Sequence, residues 1–172
     1  MTGPQRPVLL CYDGSDSAKR AVARAGEVLG GGGAVVLCVW ESLGSLVLRH
    51  RPPGLTEVGR ELREISTDVV DTLDGRVESE AQATADEGAE IARSHGFEAT
   101  ALARRALGKA IDRQQTTIWE AVIDVAEEED VALVVLGSRG LSPVRSALLG
   151  SVSSGVVHHC ERPVLIVPPA RD

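Results

Sequence analysis

Glycines and hydroxyl side chains near the carboxyl end are the residues of this chain best suited to holding a phosphate. Gly137-Ser138-Arg139-Gly140 is followed by nine residues, 141–149, and then by Gly150-Ser151-Val152-Ser153. Glycine lets the backbone turn tightly and lets a ligand approach with no Cβ in the way. Free amides in the first turn of a helix present partial positive charge to an anion. The hydroxyls of Ser151 and Ser153 add donors for the same oxygens, and Arg139 and Arg145 can neutralise phosphate charge. The competing reading is that the glycines only make turns and the serines only cap a helix. A single GxxG would leave that reading ahead. Glycines that bracket a loop of fixed length, between a buried strand and a serine-rich helix start, are harder to assign to turns alone.

For these residues to act together, a strand must end at Gly137 and a helix must open near Gly150. The patterning supplies both. Residues 8–12, 34–40, 131–136 and 163–168 are apolar runs without polar alternation, as strands buried on both faces of a parallel sheet read. Between the first two, Ala18, Ala21, Val22, Ala25, Val28 and Leu29 recur at helical spacing and Gly30 stops them. Residues 41–77 are less regular and read as an insertion, with a helix-compatible run over 57–73. Ala81, Ala85, Ala89 and Ala92 mark a helix stopped at Gly96, and residues 97–103 can form a further strand. A basic loop through Arg104, Arg105, Lys109 and Arg113 follows. Thr117 and Glu120 then have capping-box spacing, ahead of a helix with Ile118, Val122, Val125 and Ala126 on its buried face. Residues 153–160 form a last short helix. Strand and helix alternate throughout, which predicts one doubly wound α/β sandwich with its ligand beyond the carboxyl ends of the strands.

Bulk properties narrow the function. The 172 residues, 43% hydrophobic, suit a single domain with one insertion. A net charge of −7 argues against a sequence-blind nucleic-acid binder, which needs a basic face. No apolar stretch approaches a membrane span and no secretory pattern opens the chain, so a cytoplasmic location is expected. Cys11, Cys38 and Cys160 lie in apolar runs and read as buried reduced thiols. His158, His159 and Cys160 are adjacent and point in different directions, so packing is favoured over metal binding.

The spacing from Gly137 to Ser151 resembles the nucleotide-binding signature of the ATP-binding branch of the universal stress proteins: GxxG, nine residues, then Gly-Ser. The resemblance extends to residues 8–13 with Gly14-Ser15-Asp16-Ser17-Ala18, to the second strand, and to residues 163–167. It implies a Rossmann-like three-layer sandwich whose five-stranded parallel sheet has order 3-2-1-4-5, with ATP across the ends of the first and fourth strands. It also implies a homodimer through the last strand, 163–168. Position by position, Asp13 would contact the adenine or ribose side and Val39 would pack on adenine. Gly137 and Gly140, with Arg139 between them, would wrap the ribose and first phosphates. Gly150, Ser151, Val152 and Ser153 would hold the phosphate chain, with a divalent ion such as Mg2+. Without the resemblance, Asp13 reads as a cap for the helix starting near Ser15, and Val39 as core.

Two functions fit that site. One is a regulatory module whose ATP occupancy changes its dimer or its affinity for a protein partner. The other is an enzyme that slowly hydrolyses ATP or transfers a nucleotidyl group, which needs a base near the phosphates. The loop offers serines and arginines but no carboxylate or histidine before His158, and a Walker-type motif is absent. Binding without efficient turnover is therefore expected.

Overall fold

The computed structural model describes residues 6–42, 58–106, 118–138 and 149–169. Five parallel strands, β1 (Val8–Cys11), β2 (Gly32–Trp40), β3 (Phe97–Arg105), β4 (Leu133–Gly137) and β5 (Val164–Val167), form one sheet in the order β3-β2-β1-β4-β5. Val8 pairs with Ala34 on one side and Leu133 on the other, which fixes β1 at the centre. Among the described residues four helices join the strands: α1 (Asp16–Leu29), α2 (Val58–Ser94), α3 (Ile118–Glu128) and α4 (Ser151–His159).

Because strand side chains alternate, each apolar run feeds two cores. Leu10, Val36 and Val135 pack with Ala21, Val22 and Ala25 of α1 and Ala89 and Ala92 of α2. Leu9, Leu37, Val134 and Leu136 face the other way, onto Val122 and Val125 of α3 and Val156 of α4. This is the expected α/β sandwich with helices on both faces. Gly31 shows how tightly its lower edge closes: a Cβ there would lie 2.2 Å from the Gly96 carbonyl oxygen, and its φ of 99° excludes most side chains anyway.

The second helix departs from the expected pattern. Instead of a helical run over 57–73 and a separate helix near Ala81, α2 runs unbroken for 37 residues. At ~1.5 Å per residue it is about 55 Å long, against about 30 Å for the nine-residue strands. Its alanine stripe lies on the sheet, and Asp74 meets the strand ends through Ser42 and Arg105. The turns before Asp74 therefore run on past the carboxyl edge. Gly75 weakens the helix locally without breaking it, since helical continuity on both sides holds it in place. Smaller differences lie at boundaries: β3 extends to Arg105, β4 starts at Leu133 rather than 131, and α4 opens at Ser151 rather than 153.

Candidate functional site

The sheet's order reverses between β1 and β4, since the chain moves outward to β2 and β3 on one side and to β5 on the other. Such a switch point leaves a crevice at the carboxyl ends of the two central strands. α1 opens directly after β1 and α4 opens near the end of β4, so both helix N-termini lie at this edge.

Beyond β1, Asp13 Oδ1 accepts a hydrogen bond from the Ser15 amide at 3.1 Å. Ser15, rather than Asp13, is the N-cap of α1, its hydroxyl accepting from the Ala18 amide at 3.1 Å. Asp13 thus braces the turn with one oxygen. The neighbouring Cys11 thiol is pushed well above its ordinary value, by burial first and then by Cys160 and Asp13. It stays protonated and offers no nucleophile.

Gly137 is the meeting point of β4 with both helices. A Cβ at this position would lie 2.5 Å from Ser17 Oγ and 3.0 Å from the Ser17 backbone, so only glycine lets α1 come this close. The Ser153 hydroxyl donates to the Gly137 carbonyl at 2.8 Å, tying α4 to the strand end. The Gly150 amide donates to the Ser138 carbonyl at 2.8 Å, and the Ser138 amide to Val167 of β5 at 2.9 Å. Gly150 caps α4 with an extended backbone and no side-chain bond, and the first turn contains no acid. The amides of Ser151, Val152 and Ser153 belong to that first turn and have no intrahelical acceptor.

Val39, at the end of β2, is half-buried in an apolar cluster that includes Cys11, Leu102, Trp119 and Val152. Gly137, Gly150 and Ser153 are therefore joined around one strand end, while Val39 and Val152 share an apolar neighbourhood. Arg139 and Gly140 lie outside the described residues. The structure adds two residues that spacing did not single out as ligand groups. Ser17 and Ser138, 8% and 3% exposed, have hydroxyls without a hydrogen-bond partner among the described residues. Ser17 was hidden by its place on the buried face of α1, where a small residue is expected for packing alone.

Near the other end of α4, His159 stacks on Trp119 with ring centroids 4.6 Å apart, and a ring nitrogen of His158 lies 2.7 Å from the Ser154 carbonyl. Among the described residues, no three His, Cys, Asp or Glu side chains converge as a metal site, and no helix is long and apolar enough to cross a membrane.

Comparison with known proteins accords with this architecture. The model of the universal stress protein family matches residues 5–168. A universal stress protein from Thermus aquaticus is 32% identical over 162 residues, 94% of this chain and 98% of the relative. Other relatives match more strongly over short stretches: one from Synechocystis is 54% identical over 44 residues, and the chain spans 29% of that relative's length. Among solved structures, the hypothetical protein MJ0577, whose name is that of a Methanocaldococcus jannaschii universal stress protein, superposes with a TM-score of 0.71 at 19% identity, covering 99% of this chain and 100% of that one. An Archaeoglobus fulgidus universal stress protein in complex with dAMP has a TM-score of 0.56 at 18% identity, covering 95% and 98%. At these identities the structural likeness is one of fold. With the family model matched across nearly all of its length, the chain belongs to the universal stress protein family.

Proposed function

We propose that this protein binds ATP in the β1/β4 crevice and works as a cytoplasmic regulatory module rather than an enzyme. The observation that carries this reading is the meeting at Gly137 and Ser138 of an uncapped helix N-terminus, a glycine cradle and two buried hydroxyls that have no partner among the described residues. Orphaned buried donors are costly and rare, and an anion of phosphate type satisfies them. Two fold neighbours are described in complex with dAMP and with cAMP, which supports an adenine nucleotide here.

In this reading Val39 and Asp13 take the base and ribose, and Gly137 with Arg139 and Gly140 wraps the ribose and first phosphates. Gly150, Ser151, Val152 and Ser153 hold the phosphate chain, together with Mg2+. Turnover is not expected: the Cys11 thiol is held protonated, and Asp13, assigned here to the base side, has one oxygen committed to Ser15. Replacing Gly150 with valine puts a branched side chain against the ligand path and should abolish ATP binding by calorimetry while the circular dichroism spectrum is retained. Wild-type protein with ATP and magnesium should release phosphate far below ~1 s⁻¹. Unchanged affinity in the Gly150→Val variant would remove the assignment, and turnover at ordinary enzyme rates would favour the hydrolase reading.

The regulatory reading includes a homodimer through β5 and a protein partner sensitive to nucleotide occupancy. β5 is an edge strand without charge, whereas the opposite edge, β3, carries Glu98, Arg104 and Arg105. Beside β5, a groove of about 410 Å³ is lined by Leu165, Ile166 and Val28, the last 70% exposed. Pairing of two β5 strands about a two-fold axis would cover both features. Light scattering should give twice the chain mass at micromolar concentration, and Leu165→Lys should yield monomer or aggregate; a monomeric wild type would end this part of the reading.

A further inference from the structure

The serines around the crevice divide by what their hydroxyls already do. Ser15 caps α1, and the Ser153 hydroxyl donates a hydrogen bond to the Gly137 carbonyl. Among the described residues, the hydroxyls of Ser17 and Ser138 find no such partner, although both residues are more than nine-tenths buried. Burying a hydroxyl without a partner forfeits its hydration and returns nothing, so alanine would suit these two positions better on packing grounds alone.

Their placement suggests what the hydroxyls serve. Ser17 lies in the first turn of α1 with its Oγ against Gly137, and Ser138 is the next residue after that glycine. They lie at the ends of the adjacent strands β1 and β4, beside the α4 N-terminus that reaches Ser138 through the Gly150 amide. A serine hydroxyl finds a new acceptor by turning about χ1 among staggered positions, with no change of backbone.

We propose that Ser17 and Ser138 donate hydrogen bonds to the phosphate chain of the bound nucleotide and thereby set the preference for ATP over ligands with fewer phosphates. This rests on the nucleotide reading above and assigns donor work to these hydroxyls, because the proton of Ser153 is already spent on the fold. Bonds from hydroxyls to anionic oxygens are charge-assisted and stronger than neutral ones, whereas the base and ribose gain nothing from either serine.

Ser17→Ala, Ser138→Ala and the double variant should be compared with wild type by calorimetry against ATP, AMP and adenosine, and by thermal melting without ligand. The expected result is a loss of ATP affinity of about tenfold per hydroxyl, unchanged adenosine affinity, and a ligand-free melting temperature equal to or above that of wild type. A hydroxyl that only supports the fold would give the reverse, with a lower melting temperature and equal losses for all three ligands. Either that pattern or ATP affinity within twofold of wild type in the double variant overturns the proposal. Wild-type protein is the control for the parent reading: failure to bind any of the three ligands removes the nucleotide site itself, whereas binding retained in the alanine variants removes only the role of these serines.

Discussion

The crevice between β1 and β4 and the flank where α2 crosses the ends of β2 and β3 both bury serine hydroxyls, and they treat them in opposite ways. On the flank, Ser42 is 1% exposed and donates to Asp74 at 2.5 Å. Asp74 also receives Arg105 at 3.4 Å, and the Arg105 guanidinium lies 5.5 Å from the centre of the Trp40 ring. The next residue, Ala106, donates its amide to the Trp40 carbonyl at 2.8 Å. Each of these polar contacts has a partner from another element, and together they lock a long helix to two strand ends. In the crevice, Ser17 and Ser138 are buried almost as deeply and have none among the described residues. A closed network is what holding a shape requires. Open donors at a switch point are what a site completed by a ligand would leave.

The largest effect should come from breaking the closed network. Asp74→Ala strips the acceptor from Ser42 and the counter-charge from Arg105. Because Arg105 is partly exposed, a loss somewhat below that of a fully buried pair is expected, about 2–4 kcal/mol in urea unfolding. Ser42→Ala, which leaves the Asp74–Arg105 pair intact, should cost about 1 kcal/mol. If Asp74→Ala changed stability by less than about 0.5 kcal/mol, the flank would not be the anchor that its geometry suggests. The contrast sharpens if alanine at Ser138 proves neutral in the same assay.

A smaller effect tests whether the flank is dry. Cys38 packs with Trp40, Ala81 and Ala85, and burial, followed by the charge of Asp13, pushes its thiol from 9.0 up to about 11. The folded state therefore holds its proton to higher pH than the unfolded chain does. The stability linked to this group is fully present below pH 9, declines as pH rises above it, and is lost through pH 11. Unfolding measured from pH 8 to 11 should show the decline, and Cys38→Ala should make it shallower. Rapid alkylation of Cys38 by iodoacetamide at pH 8 would show instead that water reaches the flank and that the two regions differ less than their hydrogen bonds imply.

The sheet was legible in the sequence because a parallel strand buried on both faces must be apolar throughout, and β1, β2, β4 and β5 are such runs. Their order, 3-2-1-4-5, came through the resemblance carried by the glycine spacing rather than from the runs themselves. The unbroken course of α2 was not legible, since Gly75 interrupts the local helix signal between the run over 57–73 and the alanine stripe, while the contacts that hold the helix, from Asp74 to Ser42 and Arg105, join residues far apart in sequence.

The candidate site divides in the same way. That a glycine ends β4 and that Gly150 and serines open α4 could be read locally, because a tight turn and a helix start demand glycine and hydroxyl residues. Which hydroxyls remain available could not be read in this way, because availability depends on neighbours supplied by other elements. The fold commits Ser153 to the Gly137 carbonyl and Asp13 Oδ1 to the Ser15 amide, and among the described residues it leaves Ser17 and Ser138 unpaired. That division arises from packing, since a hydrogen bond between side chain and backbone across a strand end exists once α1, β4 and α4 have come together, and no local pattern encodes it.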